Sequence, residues 1–252
     1  MAVGKEILIS FSSEDNHPRI AGDRGWVTSF CKFLTTLLTQ IMKEEPVIRM
    51  IDESQQHIAD FEKTAIYIAI ISENFRDNTS LVGSLAQFGE KADADKSLML
   101  GGKSRMFKVL KHPVEIDGVL PQFEEILSYD LFQIDPMTGE AQEYTKFLGA
   151  EGERSYWLKL VDMSYDICQI LEKLGTTKKS DKQTISKEQT VYLASTGVDI
   201  LIQRDIIKRE LLRHGYRVLP EQSLPKEAKL LDAMVKADLT KCRMSIHLIG
   251  ED

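Results

Sequence analysis

Four polar side chains follow one short apolar run. Ser10, Ser12, Ser13 and Asp15 stand at the end of Glu6-Ile-Leu-Ile-Ser-Phe11. A run of this length and composition predicts a buried strand, and Ser12-Ser13-Glu14-Asp15-Asn16 predicts the turn out of it. Hydroxyls and a carboxylate at a strand's carboxyl end can hold the ribose or phosphate of a nucleotide. The same residue types also satisfy free backbone groups in turns and helix caps. Two further acids raise the same question. Glu73 follows the apolar run Ala65-Ile-Tyr-Ile-Ala-Ile-Ile71, and Glu90 lies on the helix expected over 80–94. Asp52 ends a second run, Val47-Ile-Arg-Met-Ile51, where a turn is expected.

Other constellations fail on spacing. Gly101-Gly-Lys-Ser104 would be a phosphate loop only with a glycine at 97 and a helix after it. Ser97 occupies that place, and Arg105-Met-Phe-Lys-Val-Leu110 reads as a strand. His17, His57, His112, His214 and His247 do not stand at metal-ligand spacing with cysteines or acids, so no metal is expected. Cys31, Cys168 and Cys242 are far apart and sit among apolar residues. They read as small buried side chains in a reducing cytoplasm, not as a disulfide framework.

The elements that must position these residues alternate in type. An amphipathic helix is expected over 25–42, from Trp26, Phe30, Leu34, Leu38 and their neighbours at three- and four-residue spacing. Residues 54–64 read as a short helix, and 126–132 as a fifth strand. A polar insertion is expected over 133–153, and a long helix over 154–174. Strands alternating with helices predict an α/β domain with a flavodoxin-like, five-stranded parallel sheet in the order 2-1-3-4-5.

Residues 175–189 carry almost no apolar content and read as a linker. The opening pattern then returns. Val191-Tyr-Leu-Ala-Ser195 is a strand, and Thr196 and Asp199 repeat the offsets of Ser12 and Asp15. Helices follow over 200–214 and 226–239, with strands at Tyr216–Leu219 and Met244–Ile249. Residues 190–252 are therefore a partial second α/β unit. Three strands with a bare edge imply a fragment of a longer protein, or a partner that completes the sheet.

Composition bounds the function classes. The 39 acidic and 32 basic side chains leave a net charge of -7, which argues against general nucleic-acid binding. No run of apolar residues is long enough to cross a membrane.

Ile7-Leu-Ile-Ser-Phe-Ser-Ser-Glu-Asp15, Trp26-Val-Thr-Ser-Phe30 and the strand leading into Ser72-Glu73-Asn74-Phe75 together resemble Toll/interleukin-1 receptor (TIR) domains over 1–174. Arg204, Glu210, Leu211, Gly215-Tyr216, Val218-Leu-Pro220 and Ser245-Ile-His-Leu-Ile-Gly250 resemble the start of a divergent TIR-like module of bacterial defence and signalling proteins. The resemblance implies one of two activities. Some TIR domains signal by self-association and contact with other proteins, through the loop after the second strand (here 52–58) and exposed helix faces (here 80–94). Such a module forms homo-oligomers and needs no cofactor. Others assemble and cleave or cyclise NAD, using a glutamate on the helix after the third strand in a Trp-Cys-x-x-Glu-Leu-like setting. A carboxylate there stabilises an oxocarbenium-like transition state. Matching Leu85 and Phe88 to the family puts Ser84 where that glutamate stands, and Ser80 and Leu81 where Trp and Cys stand. The first reading is therefore the leading one. The NAD-cleaving reading requires Glu73 or Glu90 as the acid, beside a cofactor-binding set of Ser10, Ser12, Asp15 and Ser84.

Overall fold

The computed structural model describes residues 5–18, 24–56, 59–95, 97–100, 103–114, 126, 128–134, 138, 140–143, 149–176, 189–197, 200–220, 224–225 and 227–250. The chain divides into two compact units, Met1–Lys178 and Lys179–Asp252.

The first unit runs β1 (Glu6–Ser10), α1 (Trp26–Met42), β2 (Val47–Ile51), β3 (Thr64–Ile71), α2 (Glu73–Arg76) and α3 (Thr79–Ala94). It continues with β4 (Met99–Leu100), β5 (Lys103–Ser104), β6 (Met106–Leu110), β7 (Ser128–Asp130), β8 (Phe132–Ile134), β9 (Ala141–Glu143) and α4 (Gly149–Thr176). The central sheet has the order β2-β1-β3-β6-β7 with every pair parallel, the flavodoxin-like arrangement. In register, Leu8 stands between Arg49 and Tyr67, and Ile68 is opposite Phe107.

Side-chain alternation sorts this sheet into two cores. Ile7 and Ile9 of β1, Ile66, Ile68 and Ile70 of β3, and Phe107 and Val109 of β6 face α1 and α4. Leu8, Tyr67, Ala69, Ile71 and Met106 face α3, where they meet Leu81, Leu85 and Phe88. β3 is buried along its whole length, as a central parallel strand between helix layers must be. At its amino end the buried Arg105 donates to the carbonyls of Thr64 and Ala65, each at 2.7 Å. The Arg105 guanidinium also lies 5.3 Å from the Phe88 ring centre. On α4, Asp166 accepts from Tyr129 at 2.5 Å and pairs with Lys103, which joins β5 and β7 to that helix.

Several expectations change in detail. Residues 54–56 and 59–63 form turns, and no α-helix runs through them. Polar side chains fold back on the backbone there: Asp52 holds the Ser54 N–H at 2.9 Å, and Asp60 holds the Glu62 N–H at 3.1 Å. Lys103 and Ser104 pair antiparallel with Leu100 and Met99. The expected fifth strand is split. Ser128–Asp130 pairs with β6, whereas Phe132–Ile134 pairs antiparallel with β9, whose residues Ala141–Glu143 fall in the expected polar insertion. Residues 101–102 and 177–188, including most of the expected linker, lie outside the described residues.

The second unit runs β10 (Thr190–Leu193), α5 (Leu201–Arg213), β11 (Arg217–Leu219), α6 (Ala228–Lys241) and β12 (Met244–Ile246). Its parallel sheet has the order β11-β10-β12, which repeats β2-β1-β3. Gly215 ends α5 with φ +78, and the N–H groups of Gly215 and Tyr216 close back on the carbonyls of Leu212 and Leu211. The copies differ in cover. β3 has no exposed residue, whereas Met244 of β12 is 51% exposed.

Phe30 tests the larger core. Its ring is fully buried and stacks on Trp26 with centres 5.5 Å apart. Phe30→Ala is expected to cost about 3–5 kcal/mol in urea unfolding of the first unit.

Candidate functional site

The carboxyl ends of β1, β3 and β6 converge on one carboxylate. After β1 the chain makes a short 3-10 turn, Ser13–Asn16, in which the Asp15 N–H bonds the Ser12 carbonyl at 2.9 Å. The turn is fastened to α1, because Asn16 Oδ1 accepts the Thr28 N–H at 2.9 Å. Gly25 makes this closure fit. A Cβ there would lie 1.8 Å from the Asn16 carbonyl oxygen, so no other residue is accommodated.

The turn drives Asp15 inward, to 5% exposure. The Ser72 hydroxyl, at the end of β3, donates to Asp15 Oδ2 at 2.5 Å. The same oxygen of Ser72 accepts the Phe75 N–H at 3.1 Å and so caps α2. Lys111, just past β6, places Nζ 3.6 Å from Asp15 Oδ1 and donates to the Asp15 carbonyl at 3.4 Å. Its ammonium also lies 5.7 Å from the centre of the Trp26 ring. Burial pushes the Asp15 carboxyl above its ordinary range, while the Ser72 bond and the charges of Lys111 and His112 pull it down. One carboxylate thus ties together three strand exits.

A second polar chain lies on the α3 side of the sheet. Tyr67 is fully buried in the apolar cluster, and its hydroxyl needs partners. It donates to Ser84 Oγ at 3.3 Å and is hydrogen-bonded to Ser10. Gln56 Nε2 donates to Ser10 Oγ at 3.3 Å. Burial pushes the Tyr67 hydroxyl pKa up, so it stays protonated and remains a donor.

A third contact joins two loops. Glu53, after β2, takes the Ser13 N–H on Oε2 at 2.9 Å and the Ser13 hydroxyl on Oε1. Burial pushes the Glu53 carboxyl up, but the two Ser13 donations outweigh it and hold the group below 4.5.

The residues singled out from sequence therefore separate. Ser10, Ser12 and Asp15 are buried at or after the end of β1, and Ser84 is buried on α3. Asp15 is bound to Ser72 and Lys111, while Ser10 and Ser84 are both bound to Tyr67. Glu73 in the first turn of α2 and Glu90 on α3 are exposed, and neither makes a hydrogen bond that holds this site. In the second unit Ser195 is exposed and Thr196 half-buried, and Asp199 lies outside the described residues. Arg204 of α5 donates to the carbonyls of Ala194 and Leu193 at 2.8 and 3.0 Å.

Sequence reasoning missed Ser72, Lys111, Glu53, Gln56 and Tyr67 as members of the site. Lys111 and Glu53 each follow a strand end closely, the rule that picked out Asp15 and Glu73. Tyr67 looked like one more apolar residue in an apolar run, and nothing in its neighbours signals the partners across the fold.

No group of three or more metal-ligating side chains gathers among the described residues. No described helix is long and apolar enough to cross a membrane. No protein-family model matches the chain, and no curated protein matches it either.

Two measurements check this network. Ser72→Ala removes a donor from a buried carboxylate, with an expected cost of about 1–3 kcal/mol in urea unfolding. The Glu53 contact depends on pH in one direction. Its folded pKa lies below 4.5, so its stabilisation is complete above that value and fades as pH falls through the folded pKa. The stability gap between the wild type and Glu53→Gln should therefore close in acid and hold constant through neutrality.

Proposed function

We propose that the first unit is a TIR-type interaction module of a bacterial defence or conflict protein, acting by self-association and protein contact. The observation that carries this reading is the commitment of Ser84. It sits where the NAD-cleaving members of the resembled family hold a glutamate, and its hydroxyl serves a buried tyrosine in an apolar cluster. A serine carries no charge with which to stabilise an oxocarbenium-like centre. Glu73 and Glu90 face solvent and do not replace it. The five-stranded parallel order supports the same reading, since it is the order a TIR domain requires.

The surfaces for assembly are the loop after β2, where Ser54 and Gln55 are exposed, and the outer face of α3 with Ser80, Gln87 and Glu90. His57 and Ile58, at the end of the expected contact loop, lie outside the described residues. The second unit is a TIR-like module joining the first to further protein partners.

The rival reading is an oligomerisation-dependent NAD glycohydrolase or cyclase. One observation favours it: Glu53 brings a carboxylate to Ser13 at the β1 exit.

NAD turnover separates the two readings. The chain is assembled at high concentration with a crowding agent, its size is followed by light scattering, and nicotinamide release is followed by chromatography. The expected result is assembly without release. Release that disappears in Glu53→Ala, Glu73→Ala or Glu90→Ala would overturn the interaction reading and identify the acid. Charge reversal on the α3 face supplies the positive test. Glu90→Arg is expected to weaken self-association about tenfold, or ~1.4 kcal/mol, with the thermal midpoint unchanged.

A further inference from the structure

The segment leaving β2, Asp52–Gln56, is built as one piece. Asp52 Oδ1 accepts the Ser54 N–H at 2.9 Å and the Ser54 hydroxyl at 2.6 Å. The Asp52 carbonyl accepts the Gln55 N–H at 3.1 Å and Gln56 Nε2 at 2.8 Å. All four bonds lie within five residues, so the piece can move without breaking them.

What fastens it to the rest of the fold is small. Its five side chains are Asp, Glu, Ser, Gln and Gln, so no apolar burial holds it down. Two side-chain contacts cross to the exit of β1: Glu53 on Ser13, and Gln56 on Ser10. Hydrogen bonds traded against water are worth little each, so a segment held by three of them, through two side chains, opens far more readily than the sheet beside it. The closed arrangement also carries a penalty. Gln56 Oε1 is buried and accepts no hydrogen bond from the described residues. Beneath lie the groups this segment covers, Ser10 with no exposure and the half-buried Ser13.

We infer that Asp52–Gln56 is a strap, latched to the first strand's exit by Glu53 and Gln56, which opens as a unit to uncover Ser10 and Ser13 while the sheet stays folded. The inference does not depend on the interaction reading above. A strap of this kind would gate the strand-end hydroxyls in an interaction module or an enzyme alike.

The test reads one latch by breaking the other. Amide hydrogen exchange is measured by NMR on the full chain. The reporter is the Ser13 N–H, which is bonded to Glu53 and not to Gln56, and the amides of Ile68 and Ile70 in β3 are controls. In the wild type the Ser13 amide is expected to exchange at least about a hundredfold faster than the controls. Gln56→Ala is expected to speed Ser13 exchange about tenfold more and to leave β3 unchanged. Gln56→Met keeps the side chain's length without its donor and should act in the same way. Unchanged Ser13 exchange in both variants would mean independent contacts and would overturn the strap. An equal rise at Ser13 and in β3 would mean global loosening and would also overturn it.

Discussion

β3 leaves little room for polar chemistry in its own interior. Eight consecutive residues, Thr64–Ile71, are buried between two helix layers and two neighbouring strands. An unpaired polar atom there is expensive, so polar groups gather where the strands end. Tyr67 is the exception, and it shapes its surroundings. Its hydroxyl sits inside an apolar cluster and takes Ser10 and Ser84 as partners from β1 and α3. Ser84 therefore serves the buried tyrosine. A carboxylate at that position would face the same cluster, and its charge would have to be met there.

The strand ends divide their work by the side of the sheet. On the Trp26 side a buried ion pair and a hydroxyl join three exits through Asp15. A buried pair of this kind adds little stability over apolar packing, but losing one partner is costly. Its visible effect is positional: the β1 turn, the α2 cap and the β6 exit share one reference point. On the other side, Glu53 and Gln56 reach across from the loop after β2 through contacts that water can replace. One set of strand exits is thus tied through a buried ion pair, and the other through contacts that water can replace.

The elements most legible in the sequence were those written in a single period. Ala65–Ile71 reads as a doubly covered strand, and it is one. Residues 25–42 read as an amphipathic helix; α1 is Trp26–Met42, and its buried residues Val27, Phe30, Leu34 and Leu38 follow that spacing. The second unit's plan was visible because it repeats the first. Short polar segments were not legible in the same way. Residues 54–56 and 59–63 carry helix-forming residues, yet Asp52 and Asp60 capture the backbone locally and make turns. The strand after β6 breaks at Leu131, which is fully buried, and the chain then pairs with β9. The site was half legible. The positions of Ser10, Ser12, Ser13 and Asp15 follow from strand ends. Their partners Ser72, Lys111, Glu53 and Gln56 depend on which strands lie side by side, and that information is tertiary.

The repeat has one further consequence, which concerns behaviour in solution. β3 lies between β1 and β6, but its counterpart β12 pairs on one side only among the described residues. Met244, Ser245 and Ile246 bring no charge, proline or bulge to that side, the devices by which sheets usually discourage unwanted neighbours. Open main-chain groups of this kind take up strands with little regard for their sequence. Turbidity or gelation of the whole chain that starts at β12 then has no bearing on the first unit's own contacts. Light-scattering data therefore need a reference variant with a lysine at Ser245, which blunts that edge and leaves the first unit's surfaces as they are.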